Sequence, residues 1–300
     1  MEKVIIIGAG PAGISAALYA VRGNLDPLVI NNGIGALEKA EKIENYYGLE
    51  HPLSGQELYD TGIAQAKALG VRILDAQVLG VGGFDTFVVK TTEGEFETQS
   101  LILATGSKRA APKIPGVKEF EGKGVSYCAI CDAFFYRGKD VAVLGNGDFA
   151  MHEAKELSNT ASTVTIYTNG EEPEFTPEEN ISVNTMKIQS VEGDDLVSGI
   201  RLAPDVQAQE INGEAGQQVN DFCPADGVFI AMGTAGSTEI ARQMGAELTE
   251  KGNIKVNENM ETTIPGLYAA GDCTGGLLQV AKAVYAVSYT HLRAHETSQD

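Results

Sequence analysis

Cys128 and Cys131, separated by two residues and followed directly by Asp132, carry the clearest chemistry in this chain. Thiols at that spacing close a small disulfide ring and reopen it, and the spacing lowers the pKa of one of them. The acid beside the second cysteine stands where thiol–disulfide exchange must deliver or remove a proton. Zinc is the alternative for a close cysteine pair, but a structural zinc site calls for further ligands, usually a second close pair. Cys223 and Cys273, the other two cysteines, are isolated. A structural disulfide is a third reading, set against a chain without secretory features. Redox chemistry therefore leads and no metal is expected, provided the rest of the chain supplies electrons.

The elements that must position such a pair begin with Val4-Ile5-Ile6-Ile7, an apolar run suited to a strand buried on both faces. It leads into Gly8-Ala9-Gly10-Pro11-Ala12-Gly13, and residues 14–21 read as a helix. Strand, GxGxxG and helix in that order form the dinucleotide fingerprint. Its glycines let the backbone reach a pyrophosphate, which rests on the helix N-terminus. The next strand, 27–30, ends at Asn31, where the fingerprint commonly has an acid for a ribose; an amide still hydrogen-bonds a hydroxyl. Residues 33–70 are expected to be mostly helical, broken around 45–48 and 51–52, with Tyr46 and Tyr47 as packing residues. The patterns at 84–91 and 96–104 predict a hairpin continuing into a buried strand. That strand ends at Ala104-Thr105-Gly106-Ser107, and 111–116 is a linker.

Beyond the dithiol the pattern returns. Residues 140–144 read as a strand, Gly145-Asn146-Gly147-Asp148-Phe149-Ala150 as a GxGxxA turn, 151–157 as its helix and 163–167 as the next strand. A further buried strand, 266–272, closes on Asp272, and 275–285 reads as a helix entered through glycines. The expected fold class is α/β, with two Rossmann-like (doubly wound, three-layer) nucleotide-binding domains, the second inserted in the first. The boundaries are 1–111 with 237–287 for the first domain and 112–236 for the insert, with a tail at 288–300 outside the fold.

Composition narrows the partners. Hydrophobic residues at 43% and charged residues at 21% describe an ordinary globular protein. The net charge of −19 argues against nucleic acid and anionic membranes. No apolar run approaches the roughly 18 residues of a membrane span. Lys3 and the apolar residues after it resemble the start of a signal peptide, but the glycines interrupt that segment, and a cytoplasmic location is expected.

Taken together, Gly8 to Gly13, the Ala104-Thr105-Gly106 strand end, Cys128-Ala129-Ile130-Cys131-Asp132, and Gly271-Asp272 followed by Gln279-Val280-Ala281 resemble the low-molecular-weight thioredoxin reductases. The resemblance runs from Met1 to about Ala286. It implies a discontinuous FAD domain, an insert carrying the redox-active disulfide, a homodimer, and thioredoxin as the protein substrate. It further implies that Gly8, Gly10, Pro11, Ala12 and Gly13 hold the FAD pyrophosphate. Asn31, Asn45, Ala104, Thr105, Gly106 and Gly271 complete the cofactor site, Asp272 meets the ribityl chain, and Gln279, Val280 and Ala281 line the isoalloxazine. Cys131 would face the flavin, Cys128 would attack the substrate disulfide, and Asp132 would be the acid–base group.

One region departs from the resemblance. NADPH-using members carry His-Arg-Arg at the end of the strand after the second glycine turn, which clamps the 2′-phosphate. Here that stretch is Tyr167-Thr168-Asn169-Gly170-Glu171-Glu172, without a basic residue. Losing two charge-assisted hydrogen bonds of roughly 1.5–3 kcal/mol each costs about 10²- to 10⁴-fold in affinity. From 151 to 236 there are fifteen acids against Lys155, Lys187 and Arg201, and Asp148 sits inside the turn. The loss resembles the subgroup of thioredoxin reductases that take electrons from reduced ferredoxin. The alternatives are an NAD(P)H-dependent thioredoxin reductase with an atypical nucleotide site, or a flavin-binding oxidase or redox sensor that does not act on thioredoxin. Lys108, Arg109, Lys113, Lys118, Lys123, Arg137 and Lys139 form a basic stretch around the dithiol on which an acidic ferredoxin would dock.

Overall fold

The computed structural model describes residues 1–83, 85–106, 112–204, 221–232 and 236–287, without the side chains of 130 and 131. The chain opens with β1 (Val4–Ile7), α1 (Pro11–Arg22), β2 (Pro27–Asn31), α2 (Gly55–Ala68) and β3 (Arg72–Asp75). Next come β4 (Val78–Gly82), β5 (Phe87–Thr91), β6 (Gly94–Thr98) and β7 (Leu101–Leu103). The middle holds β8 (Val125–Ser126), α3 (Ala129–Asp132), β9 (Asp140–Leu144), α4 (Asp148–Ser158) and β10 (Thr163–Tyr167). There follow β11 (Ser182–Asn184), β12 (Ile188–Gly193), β13 (Val197–Leu202), β14 (Phe222–Pro224) and β15 (Gly227–Ile230). The chain closes with α5 (Ser237–Gln243), β16 (Leu267–Ala269) and α6 (Val280–Tyr285).

These elements fall into two compact units, one of Met1–Arg109 with Ala235–Asp300 and one of Ala110–Thr234. In the first, a parallel sheet runs in the order β16-β7-β1-β2-β3. Every residue of β1, β7 and β16 is buried, as expected for strands covered on both faces. Helix α1 lies on this sheet through Ala12, Gly13, Ile14, Ala16, Ala17 and Ala20, mostly small residues that permit close approach. Pro11 at its first turn is preset for helix, and its missing N–H would have had no intrahelical partner. Helix α2 starts with a capping box in which Ser54 and Glu57 satisfy each other's backbone amides. An antiparallel sheet, β4-β5-β6, completes the unit.

Three stretches differ from the sequence expectation. Between 33 and 70, helix is limited to α2 and a short 3-10 turn at Gly35–Lys39; the intervening chain is held by paired backbone bonds between Ile43 and Leu53. The expected hairpin-to-strand run divides at Gln99 and Ser100. There the Thr98 hydroxyl donates to the Ser100 carbonyl and accepts from its amide, so β6 and β7 enter different sheets. Helix α6 begins at Val280 rather than at 275, because Gly275 and Gly276 take φ of +78° and +83°, outside helical space.

The second unit has its own parallel sheet, ordered β11-β10-β9-β15-β8, and an antiparallel β12-β13-β14 sheet that the sequence pattern did not reveal. Its core gathers Val117, Phe120, Leu144, Val191, Ile200 and Val228 among others. The proposed tail at 288–300 lies outside the described residues, as do 107–111 and 233–235 beside the expected boundaries at 111/112 and 236/237. Among the described residues, no helix is long and apolar enough to cross a membrane.

Candidate functional site

In the first unit the parallel strands deliver their carboxyl ends to one edge, the edge at which α/β sheets bind ligands. Gly8 follows β1 with φ of +109°, and a Cβ there would stand 2.4 Å from the Ala104 carbonyl oxygen after β7. A Cβ on Gly13 would stand 1.8 Å from the Gly8 carbonyl oxygen, and one on Gly271 would stand 2.9 Å from the Ala12 methyl. These glycines are required by backbone packed on backbone. Gly10 differs, since a Cβ there would meet nothing within 4 Å. No side chain caps α1 at Gly10, so its first amides are left for an incoming anion.

The sequence-predicted residues gather around this opening. Asn45 donates from Nδ2 to Oε1 of Gln279 at 3.0 Å, across 234 residues of chain. Val280 and Ala281 open α6 directly after Gln279. Thr105 is clasped by Ser237 at the start of α5, with Oγ1 to Oγ at 2.7 Å and the Ser237 amide donating to Oγ1 at 2.8 Å. Gly106 follows with φ of +85°. Asp272 is half-buried, and desolvation pushes its carboxyl above the usual range, opposed by Lys282. Asn31 is engaged at both ends: Oδ1 accepts from Tyr59 at 2.9 Å and Nδ2 donates to Asp75 at 2.6 Å. Tyr46 is partly buried, whereas Tyr47, expected to pack, is 99% exposed.

Two contributors here escaped the sequence reading. Ser237 is one. Lys282 is the other, with Nζ donating to the Gly275 carbonyl at 2.7 Å and to Thr274 at 3.1 Å, which pins the glycine loop beside Asp272.

In the second unit, Cys128 follows β8 and immediately precedes α3, which contains Cys131 and ends at Asp132. Cys128 is disulfide-bonded and 2% exposed, while Cys223 and Cys273 carry free thiols. The Cys131 side chain lies outside the described ones. Ser126 ties the motif together: its hydroxyl donates to Asp132 Oδ2 at 2.6 Å and accepts the Cys128 amide at 3.1 Å. A second carboxyl, Glu153 of α4, accepts the Ala129 amide at 2.6 Å. Burial pushes that carboxyl up to about 7. Beyond α3, Phe134 and Phe135 are exposed, and Arg137 stands over the Phe134 ring at 5.5 Å. No group of three or more potential metal ligands occurs among the described residues.

The second glycine turn repeats the backbone logic of the first. A Cβ on Gly145 would stand 2.3 Å from the Ala231 oxygen, Gly147 is open, and no side chain caps α4. Its surroundings differ. Asp148 occupies the first turn of α4, and the Glu174 amide donates to the Asn146 carbonyl at 2.7 Å. Thr168 is buried and Asn169 sits at φ of +56°, closing a turn after β10, with Glu171 and Glu172 exposed beyond it. The stem of Lys187 borders this turn, with its Cβ 3.7 Å from where a Cβ on Gly170 would stand.

Residues 2–286 match the pyridine nucleotide-disulphide oxidoreductase family. A thioredoxin reductase of Aquifex aeolicus is 38% identical over 284 residues, 90% of this chain and 84% of that protein. This chain is a member of the low-molecular-weight thioredoxin reductase family. Among solved structures, the atypical thioredoxin reductase TRi of Desulfovibrio vulgaris Hildenborough superposes with a TM-score of 0.88 at 37% identity, covering 100% of this chain and 98% of that one. The ferredoxin-flavin thioredoxin reductase of Clostridium acetobutylicum gives 0.67 at 29% identity, covering 98% and 96%. The α/β fold with two Rossmann-like domains is the thioredoxin reductase fold. FAD is the cofactor of this family, and the first glycine turn fits it, with an open Gly10 before an uncapped helix end.

Proposed function

We propose that this flavoprotein reduces the disulfide of thioredoxin through the Cys128–Cys131 pair, with reduced ferredoxin as its electron donor. FAD, when bound, stores two electrons and releases them to a disulfide. Gly10 and the first amides of α1 hold its pyrophosphate, and Asp272 with Gln279 orients the remainder. Cys131 accepts electrons on the flavin side, and Cys128 forms the mixed disulfide with thioredoxin. Asp132, oriented by the Ser126 hydroxyl, holds the proton that the departing thioredoxin thiolate needs. A homodimer in the cytoplasm belongs to the same reading through the family resemblance.

The observation that carries the choice of donor is the end of β10. A 2′-phosphate arriving there would meet Glu171 and Glu172 instead of an arginine pair, inside a strongly acidic unit. Lys113, Lys118, Lys123, Arg137 and Lys139 offer the acidic donor a basic surface near the dithiol; Lys108 and Arg109 lie outside the described residues. An open Gly147 on an uncapped α4 favours one second reading, NADH, which carries no 2′-phosphate. Turnover of oxidised thioredoxin is measured anaerobically with reduced ferredoxin, NADPH and NADH in parallel. Thiol production with ferredoxin alone is expected. Production with NADH or NADPH at comparable rates overturns the donor assignment, and none with any donor overturns thioredoxin as substrate.

A further inference from the structure

Glu153 is a buried carboxyl for which the dithiol chemistry described so far has no use. It is 1% exposed and projects from α4, which packs on α3. Oε2 accepts the amide of Ala129, the residue bonded to Cys128. Oε1 has no hydrogen-bond partner among the described residues. A buried carboxylate with one oxygen unmatched is poorly solvated, and a proton on that oxygen relieves the cost. Burial raises this carboxyl to about 7, Glu156 acts in the same direction, and the Ala129 bond opposes.

We propose that Glu153 is a positioning residue for the dithiol that takes up a proton when the pair is reduced and gives it back when the pair is oxidised. This rests on the reading of Cys128 and Cys131 as the working pair. Reduction breaks the S–S bond with two electrons from reduced flavin and leaves two sulfurs, protonated as two thiols or as one thiol and one thiolate. Negative charge developing at Cys128 lies one residue from the amide that Glu153 holds, so it strengthens proton binding at Oε1. Oxidation by a thioredoxin disulfide re-forms the S–S bond, transfers the two electrons to thioredoxin, and releases that proton to solvent. Net proton uptake then exceeds that of the two sulfurs.

The other titratable groups on this helix and on the elements packed against it are Cys128, Cys131 and Asp132 at α3, Asp140 of β9, Tyr167 of β10, and Asp148, His152, Lys155 and Glu156 on α4 itself. Of the described groups, Glu156 alone acts on Glu153 by charge.

The test equilibrates the flavin-loaded protein with dithiol–disulfide buffers across about pH 6 to 9. Thiols at 128 and 131 are trapped under denaturing conditions and counted by mass. In wild type the potential should keep the two-proton slope on the alkaline side of about 7 once Cys128 is a thiolate, because Glu153 then binds the second proton. In Glu153→Gln the slope should fall there toward the one-proton line. The ratio of wild-type to variant equilibrium constants should thus change by about tenfold across the range, or about 30 mV for this two-electron couple. A merely structural role shifts the potential equally at every pH, so parallel lines overturn the inference. If the variant does not fold, a wild-type slope that falls to the one-proton line where the reduced pair holds a thiolate overturns it equally. A wild-type pair that no buffer reduces is a different result, and it removes the disulfide-reductase reading together with this inference.

Discussion

The two glycine turns are built alike and surrounded differently. Each follows the central strand of a parallel sheet, β1 or β9, and each has a glycine jammed against a neighbouring carbonyl (Gly8 on Ala104, Gly145 on Ala231). Each ends in an open N-cap glycine, Gly10 or Gly147. What the other strand ends bring is not alike. At the first turn they bring Thr105 with Ser237, Gly271 on Ala12, and a loop pinned by Lys282. At the second they bring Asp148, Glu171, Glu172 and Glu174. The local turn specifies a strand–helix joint, and its neighbours specify whether a phosphate is welcome. Helix α4 also presents Glu153 from its buried face to the Ala129 amide beside Cys128.

The comparison breaks most severely at Gly13. A methyl there meets the Gly8 carbonyl, so Gly13→Ala should cost about 3 kcal/mol and release FAD. Gly147→Ala, which meets nothing, should cost about 1 kcal/mol as a poorer N-cap and leave the flavin in place. Thermal melting with flavin release checks both. Cys128→Ser should abolish thioredoxin reduction while flavin content stays at the wild-type level, separating the chemistry of the two units. Ser126→Ala removes the hydroxyl between Asp132 and the Cys128 amide and should slow thiol–disulfide exchange about tenfold. Stopped-flow mixing with oxidised thioredoxin reads that rate.

How much of this was legible in the sequence depended on how far apart the partners lie. The strand, turn and helix from Val4 to Arg22 are a local pattern, and so is the dithiol. The clasp of Thr105 by Ser237 and the bond from Asn45 to Gln279 join residues far apart in sequence. No local property of Ser237 sets it apart from other helix-start serines. Glu153 left a fainter trace. It falls at a buried position of α4 among Phe149, Ala150, Ala154 and Leu157, so helical periodicity alone places a carboxyl where an apolar residue belongs. The β12-β13-β14 sheet was missed because its strands alternate weakly and contain Gly193 and Gly199.

The gentlest perturbation sharpens the contrast in the opposite direction. Replacing Glu171 and Glu172 by Arg puts cations on exposed positions beyond β10 while leaving Asn169 in its left-handed turn. NADPH affinity should rise roughly tenfold, as far as flexible surface guanidinium groups can supply about 1.4 kcal/mol. Isothermal titration of the double variant against wild type measures it.

The central claim, that electrons reach the flavin without a pyridine nucleotide at the second turn, is tested most directly by single-turnover flavin reduction. The oxidised protein is mixed anaerobically with reduced ferredoxin or with NADPH, without thioredoxin, and loss of the flavin's visible colour is followed. The account predicts rapid bleaching by ferredoxin and none by NADPH within the same interval. Bleaching by NADPH at the ferredoxin rate would contradict it.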